Sequence, residues 1–347
     1  MPSVREQLDR IERTCQADHT AKVLREKLLA DIRAIVPFDG HVFALTDPVS
    51  RVATSPLADV PGLPWPRLPD LIRWRYLTRI NRWSDLLDEG RGASSLLGST
   101  AGDPSQSLLW RNVLRDLGVV DTAALAFGDR YGCWGFLDLW RTSSGAFTPG
   151  ELSFLSALSG SVSAGLRRAL ARTFVDPDRR LSPIGPAIVI LGPDLQVRVQ
   201  TAGAAEALLR LNPPDEPMPP IPAAAYNIGA ALIAVENGVG VGPAWSRVCL
   251  GGSRWVTVKA DRIGGGDIAV SIEPSTAAER MDLFGRAHAL STRESEVLVL
   301  LGAGMDSREM AAELVISEHT VNDHVKAMLA KAGARTRQVL LSRALGS

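Results

Sequence analysis

The chain has 347 residues, 46% hydrophobic and 22% charged, and its 38 Lys and Arg are balanced by 38 Asp and Glu. That length predicts two or three domains, and that composition excludes a disordered chain. Zero net charge excludes a body coated in basic surface for nucleic acid, but it leaves room for a small DNA-binding module on a neutral body.

Cys15, Cys133 and Cys249 are few, odd in number and far apart, which predicts neither a disulfide framework nor a zinc site. Cys133 reads as buried rather than reactive. The opening MPSVREQLDR lacks the apolar core of a signal peptide, and AAAYNIGAALIAV is too short to span a bilayer. The expectation is a cytoplasmic protein with no membrane partner and no metal.

Taken in chain order, residues 4–36 show apolar residues at helical spacing (Leu8, Ile11, Cys15, Val23, Leu24, Leu28, Ile32, Ile35), and Pro37 ends the pattern. GHVFALTDP and RVATSP predict a strand and its hairpin partner, and PGLPWPRLP a loop. DLIRWRYLTRINRWSDLL reads as mostly helix, and SLLWRNVLRDLG as a short amphipathic helix stopped at Gly118. DTAALAFGD and CWGFLDLWR predict two strands about the turn RYG. A long helix should follow: Thr148 is its N-cap, Pro149 its first residue and Glu151 the partner in a capping box.

VDPDRRLSPIGP reads as a linker, AIVILGPDLQVRVQT as a hairpin and AGAAEALLRL as a helix. The proline-dense NPPDEPMPPIP cannot form a packed element. AAAYNIGAALIAVEN is helical, and three strands with glycine turns end near Pro274. TAAERMDLFGRAHA predicts a connector helix.

From Leu290 the pattern is all helix. Ser291 with Glu294, and Asp306 with Glu309, form two capping boxes. Met310, Ala311, Leu314 and Val315 are expected to face inward. Ile316 should pin a turn, and Ser317 should cap a further helix, EHTVNDHVKAMLAKAG, ended by Gly333. Val321, Val325, Met328 and Leu329 form one stripe of that helix. Glu318, Asn322, Asp323 and Lys326 lie off it. Two short helices about a tight turn, the second with a polar face sized for the major groove, predict a helix-turn-helix.

The segment LSTRESEVLVLLGAGMDSREMAAELVISEHTVNDHVKAMLAKAGARTRQVLL resembles the LuxR-type (GerE- or NarL-type) DNA-binding domain of transcription regulators. The match rests on Leu-x-x-Arg-Glu at 290–294, EVL at 296–298, EMA at 309–311, IS at 316–317, TV at 320–321, HVKAML at 324–329 and Lys331. The resemblance implies double-stranded DNA as partner, a homodimer paired through the fourth helix, and contact with RNA polymerase. It places Asn322, Asp323, Lys326 and Glu318 at base-reading positions. Asn suits adenine, Asp suits cytosine N4 and Lys suits guanine or phosphate, each good bidentate pair discriminating by about 1–3 kcal/mol. Arg308, His319, Lys331, Arg335 and Arg337 become the phosphate contacts, which set position without reading sequence. From residue 286 on, eight Lys and Arg face seven Asp and Glu. So weak a basic balance predicts modest affinity for one copy and a need for dimerisation.

Ahead of this domain, IVPFDGHVFALTDP and YGCWGFLDLWRTSSGAFTPGELSFLSALSGSVSAGLRRAL resemble a GAF-type sensor domain, and 183–275 resembles a PAS-like domain. The expected plan is multidomain: an N-terminal helix at 1–35, then an α+β GAF-like domain at 36–173 and a PAS-like domain at 183–275. A connector helix at 276–289 leads to an all-α four-helix domain at 290–347. Both sensor folds imply an antiparallel sheet with a pocket between sheet and helices. Trp65, Trp74, Trp110 and Trp134, with Trp83 and Trp140, are candidates to line it for a flat or apolar effector. The alternative for these indoles is core and dimer packing. No hydrolase elbow or P-loop is present, and NGVGVG follows a helix rather than a strand, so no enzyme is expected and no cofactor beyond such an effector. The competing function is an interaction adaptor that uses the sensor folds to dimerise without reading DNA.

Overall fold

Thr20 divides the N-terminal helical stretch in two. In the computed structural model α1 (Val4–Gln16) stops before it and α2 (Ala21–Arg33) starts after it, with the Thr20 hydroxyl accepting from Val23 N. The single helix expected over 1–35 is therefore a pair, because the apolar period runs on through a break that a threonine cap makes favourable. The structure describes residues 4–175, 185–211, 222–240 and 242–346. The expected linker at 175–186 and the proline-dense connector at 212–222 lie largely outside them.

The first sheet is built from β1 (Gly40–Thr46), β2 (Ala53–Asp59), β3 (Ala93–Ser95), β4 (Asp121–Asp129) and β5 (Gly132–Arg141), all antiparallel, in the order β2-β1-β5-β4-β3. Between β2 and β3 run α3 (Leu68–Leu77) and α4 (Trp83–Asp88); α5 (Leu96–Ser99) follows β3. The expected short helix near Gly118 contains a wide π-helical turn at Trp110–Leu114. After β5 the expected long helix breaks at Leu158 into α6 (Pro149–Ala157) and α7 (Ser159–Ala171), with the Thr148–Glu151 capping box in place. One face of the sheet packs Phe43, Leu125, Phe127, Leu137 and Leu139 against α1, α2 and α7. The other face looks towards α3 and α4.

A second antiparallel sheet has the same relative order. Its strands β6 (Ile188–Leu191), β7 (Val197–Gln200), β8 (Trp245–Cys249), β9 (Trp255–Arg262) and β10 (Ile268–Pro274) run β7-β6-β10-β9-β8. Helix α8 (Ala202–Leu211) follows β7, and α9 (Ala223–Glu236) precedes β8. Almost every residue of α9 is buried, because one side packs on this sheet and the other on α3 and β2 of the first unit. A helix apolar all round belongs between two partners, and its alanines and Gly229 let both approach.

The C-terminal part is helical: α10 (Ala277–Ala287), α11 (Thr292–Gly302), α12 (Ser307–Leu314), α13 (Glu318–Ala332) and α14 (Arg337–Leu345). Its core of Leu298, Met310, Val321, Val325, Met328 and Leu340 is continuous with Leu283 and Phe284 of α10, Trp255 of β9 and Phe174 beyond α7. Phe174 stacks on Trp255 at 5.1 Å and meets Phe284 edge-on at 5.3 Å. The chain is therefore two antiparallel five-stranded sheets with helices, followed by a helical domain docked onto both.

Candidate nucleic-acid interface and sensor cavity

Helix α12 starts at Asp306, whose carboxylate accepts from the Arg308 and Glu309 amides while Glu309 reaches back to Asp306 N. It ends at Val315, in the left-handed region at φ 56° and 88% exposed. This corrects the inward placement expected of Val315: a residue closing a helix in that conformation turns its side chain out of the stripe. Ile316 tucks back, its amide donating to Ala311 O at 3.0 Å. Ser317 then caps α13, its hydroxyl accepting from Thr320 N at 3.1 Å, and Gly333 closes α13 at φ 58°.

Val321, Val325 and Met328 are buried, whereas Glu318, Asn322, Asp323 and Lys326 are exposed along the opposite side. Arg308, Arg335 and Lys326 are exposed cations whose side chains take no hydrogen bond or ion pair among the described residues. His319 is exposed and stands 3.5 Å from Asp323. Two predicted contacts are otherwise engaged. Lys331 Nζ donates to Glu294 at 2.6 Å and to Ala289 O at 3.2 Å. Burial works against the Glu294 charge, yet Lys331 and the Ser291 amide hold its carboxyl below the usual range. Arg337 Nη2 donates to Asn322 Oδ1 at 2.6 Å and to Ser307 Oγ at 3.1 Å. Asn322 thus enters any base contact with its amide oxygen already taken.

The second feature is a cavity of about 680 Å³ between the first sheet, α3 and the buried face of α9. Its apolar wall includes Val42, Leu57, Val60, Leu68, Leu71, Ile72 and Trp140. Asp138 is buried in its wall and fully engaged. Arg75 Nε and Nη2 donate to it at 2.7 and 3.1 Å, and Trp83 Nε1 at 2.9 Å. Arg75 also lies over the Trp83 ring at 3.9 Å, and that ring stacks on Phe136 at 4.7 Å. Tyr76 accepts from Ala53 N at 3.0 Å, and burial raises its hydroxyl pKa well above the ordinary value. Leu211, Ala223 and Asn227 bring the second unit into the same wall.

Of the four indoles expected there, only Trp65 lines the cavity, at its exposed rim. Trp134 is a correction. Phe127 pairs with Gly135 but Gly128 with Cys133, so Trp134 is the extra residue of a β-bulge. The bulge resets the alternation and sends the ring into the core under α1 and α7. Trp74 and Trp110 pack in a satellite cluster, where Trp110 Nε1 donates to Val119 O at 2.9 Å. Trp83 and Trp140 do line the cavity. Asp138, Arg75, Arg25 and Tyr76 were not anticipated. The one hint was an acid between Leu137 and Leu139 in a strand apolar on both faces.

Burial pushes the Cys133 thiol up to about 11 and Cys15 up to about 12, so both are inert packing groups. Among the described residues no cluster of His, Cys, Asp or Glu could hold a metal, and no helix is long and apolar enough to cross a membrane.

Residues 288–344 match the family model described as bacterial regulatory proteins, luxR family. No curated protein matches the chain. Among solved structures, a crystal structure of Escherichia coli SdiA is 16% identical, covering 99% of this chain and 96% of that one, with a TM-score of 0.31. A structure of SdiA in complex with octanoyl-rac-glycerol is also 16% identical, covering 98% and 92%, with a TM-score of 0.29. Scores so low carry no argument about the two sheet-bearing units.

Proposed function

With residues 288–344 forming a LuxR-family helix-turn-helix domain, we propose that the chain is a DNA-binding transcriptional regulator whose front units sense a small molecule. The observation that carries the DNA reading is the exposed polar side of α13, flanked by the unpaired cations Arg308, Lys326 and Arg335. Such an arrangement suits a helix in the major groove with phosphate contacts at its margins. The cavity against α9 supports the sensing reading, since it is large, mostly apolar and shared by both front units. The shared strand order of the two sheets is what favours reading the units as GAF-like and PAS-like.

The regulator acts in the cytoplasm as a homodimer on two half-sites about one helical turn apart. Effector binding in the cavity alters the packing of α9 and the second sheet, and α10 carries the change to the reading heads. Selection of bound duplexes from a random pool, followed by a mobility-shift assay, tests the reading. A recovered consensus that Lys326→Ala no longer retains supports it. Recovery of no duplex over a range of salt would refute it and leave the interaction adaptor.

A further inference from the structure

The cavity wall holds a buried cation that no buried anion matches among the described residues. Arg25 on α2 is 5% exposed. Its Nε donates to Ala21 O at 3.1 Å, and its Nη1 to Phe43 O at 2.7 Å and Ser55 O at 2.6 Å. All three acceptors are neutral carbonyls. The N–H groups of Nη2 take no acceptor, and no carboxylate lies within ion-pair distance, among the described residues. Burial lowers the guanidinium pKa to about 10, and the exposed Glu26 carboxylate only partly opposes it.

The rest of the wall reinforces this imbalance. Among the described lining residues, Arg75 and Asp138 answer one another, whereas no carboxylate stands against Arg25. Asp138 is already consumed by Arg75 and Trp83. The cavity therefore meets, on the α2 side, a guanidinium nitrogen with open N–H groups among the described residues. The opposite wall, from Leu68, Leu71, Ile72 and Trp140, is apolar.

We infer that the cavity takes an amphipathic monocarboxylate, its apolar body against α3 and Trp140 and its carboxylate on Arg25 Nη2. The inference deepens the sensing role proposed above and rests on it. One nitrogen edge suits a single planar carboxylate better than the three oxygens and double charge of a phosphate monoester.

Calorimetric titration of the full chain with dodecanoate, dodecan-1-ol and dodecyl phosphate tests it. Tryptophan fluorescence provides a second signal, because Trp65, Trp83 and Trp140 line the site. Dodecanoate is expected to bind one per chain and at least about tenfold tighter than the alcohol, the value of a charge-assisted hydrogen bond. Arg25→Gln should remove that advantage, read as the ratio of carboxylate to alcohol affinity within the variant. This comparison does not depend on the variant folding, since the three probes already discriminate on the native protein. Equal binding of carboxylate and alcohol would overturn the charge assignment while sparing the cavity as a sensor site. Tighter binding of dodecyl phosphate would overturn the choice of carboxylate. Failure of all three to bind would sink the inference together with the sensing role of the cavity.

Discussion

Replacing Asp47 by Asn should loosen the joint between all three parts of the chain. Asp47 follows β1 and is fully buried. Its Oδ2 accepts from Arg247 Nε at 2.7 Å and from Arg247 N at 3.1 Å. Its Oδ1 accepts from Arg247 Nη2 at 3.2 Å and from the Val49 and Ser50 amides at 2.8 and 3.1 Å. Arg247 belongs to β8 of the second sheet, and its Nη1 continues to Asp282 at 2.7 Å and to Glu279 O at 2.9 Å, both on α10. Burial opposes the Arg247 charge, but the two carboxylates outweigh it and raise its pKa. An asparagine can keep the turn amides satisfied through its oxygen. Its NH₂ group would then face the guanidinium donor to donor. Breaking a buried pair by removing one partner costs about 3–5 kcal/mol. Asp282 remains as a partner but is 43% exposed, so a loss near the lower end, about 3 kcal/mol, is expected. Urea unfolding measures it, and hydrogen exchange should show faster opening of α10 and β8 before global unfolding. Arg247→Met alone should cost a similar amount, and the double variant should recover part of the loss, because an ion pair removed whole leaves no stranded charge. A loss below about 1 kcal/mol for Asp47→Asn, or strict additivity in the cycle, would refute the view that this pair joins the units.

Lys326→Ala should keep the melting behaviour and weaken binding to the selected duplex, reducing the slope of log affinity against log salt by about 1. Burial lowers the His288 pKa to about 4, with Arg343 and Arg167 adding to the effect and Lys331 O opposing it. The unfolded chain therefore binds this proton more readily. Stability should be complete above about pH 6.5 and fall by up to about 3 kcal/mol as pH drops towards 4, measured by urea midpoints against His288→Asn, whose profile should lack that limb. Val315 closes α12 at φ 56° with its side chain in solvent. Val315→Asn should raise stability by about 1 kcal/mol by relieving a β-branched residue of left-handed backbone, and an unchanged urea midpoint would count against that strain.

How far the sequence reached depended on how local the determinant was. The caps at Thr148, Ser291, Asp306 and Ser317 sit within a few residues of what they cap, and all four were readable in advance. Breaks at Thr20 and Leu158 were not, since the apolar stripe continues across both. Trp134 was misplaced because a bulge inverts every later side chain, and only the pairing register reveals one. The cavity was expected in kind but not in its residues. Arg75 and Asp138 lie 63 positions apart, and Arg25 finds Ser55 across 30. Before folding, both arginines look like ordinary charges on helix surfaces. Abundant tryptophan was a poor guide for the same reason, since an indole fills core as readily as it lines a cavity.

The placement of α10 explains why the polar side of α13 can stay open while the domain behind it is firmly held. Arg280 donates to Ser253 O at 2.7 Å and to Arg343 O at 3.1 Å, spanning the second sheet and the last helix. Arg286 donates to Tyr131 O at 2.9 Å in the β4–β5 turn of the first unit. Phe284 closes over Phe174, and Arg247 fixes Asp282 on the same helix. Every one of these ties reaches the side of the C-terminal domain formed by α10 and α14, and none involves the polar side of α13. Repacking in the front units therefore acts on where α14 and the domain core are held, while the chemistry presented by α13 stays the same. In the dimeric regulator proposed above, control exerted this way would change the spacing and orientation of the two α13 helices without altering which bases each prefers. An effector should accordingly shift affinity for a paired operator far more than affinity for a single half-site.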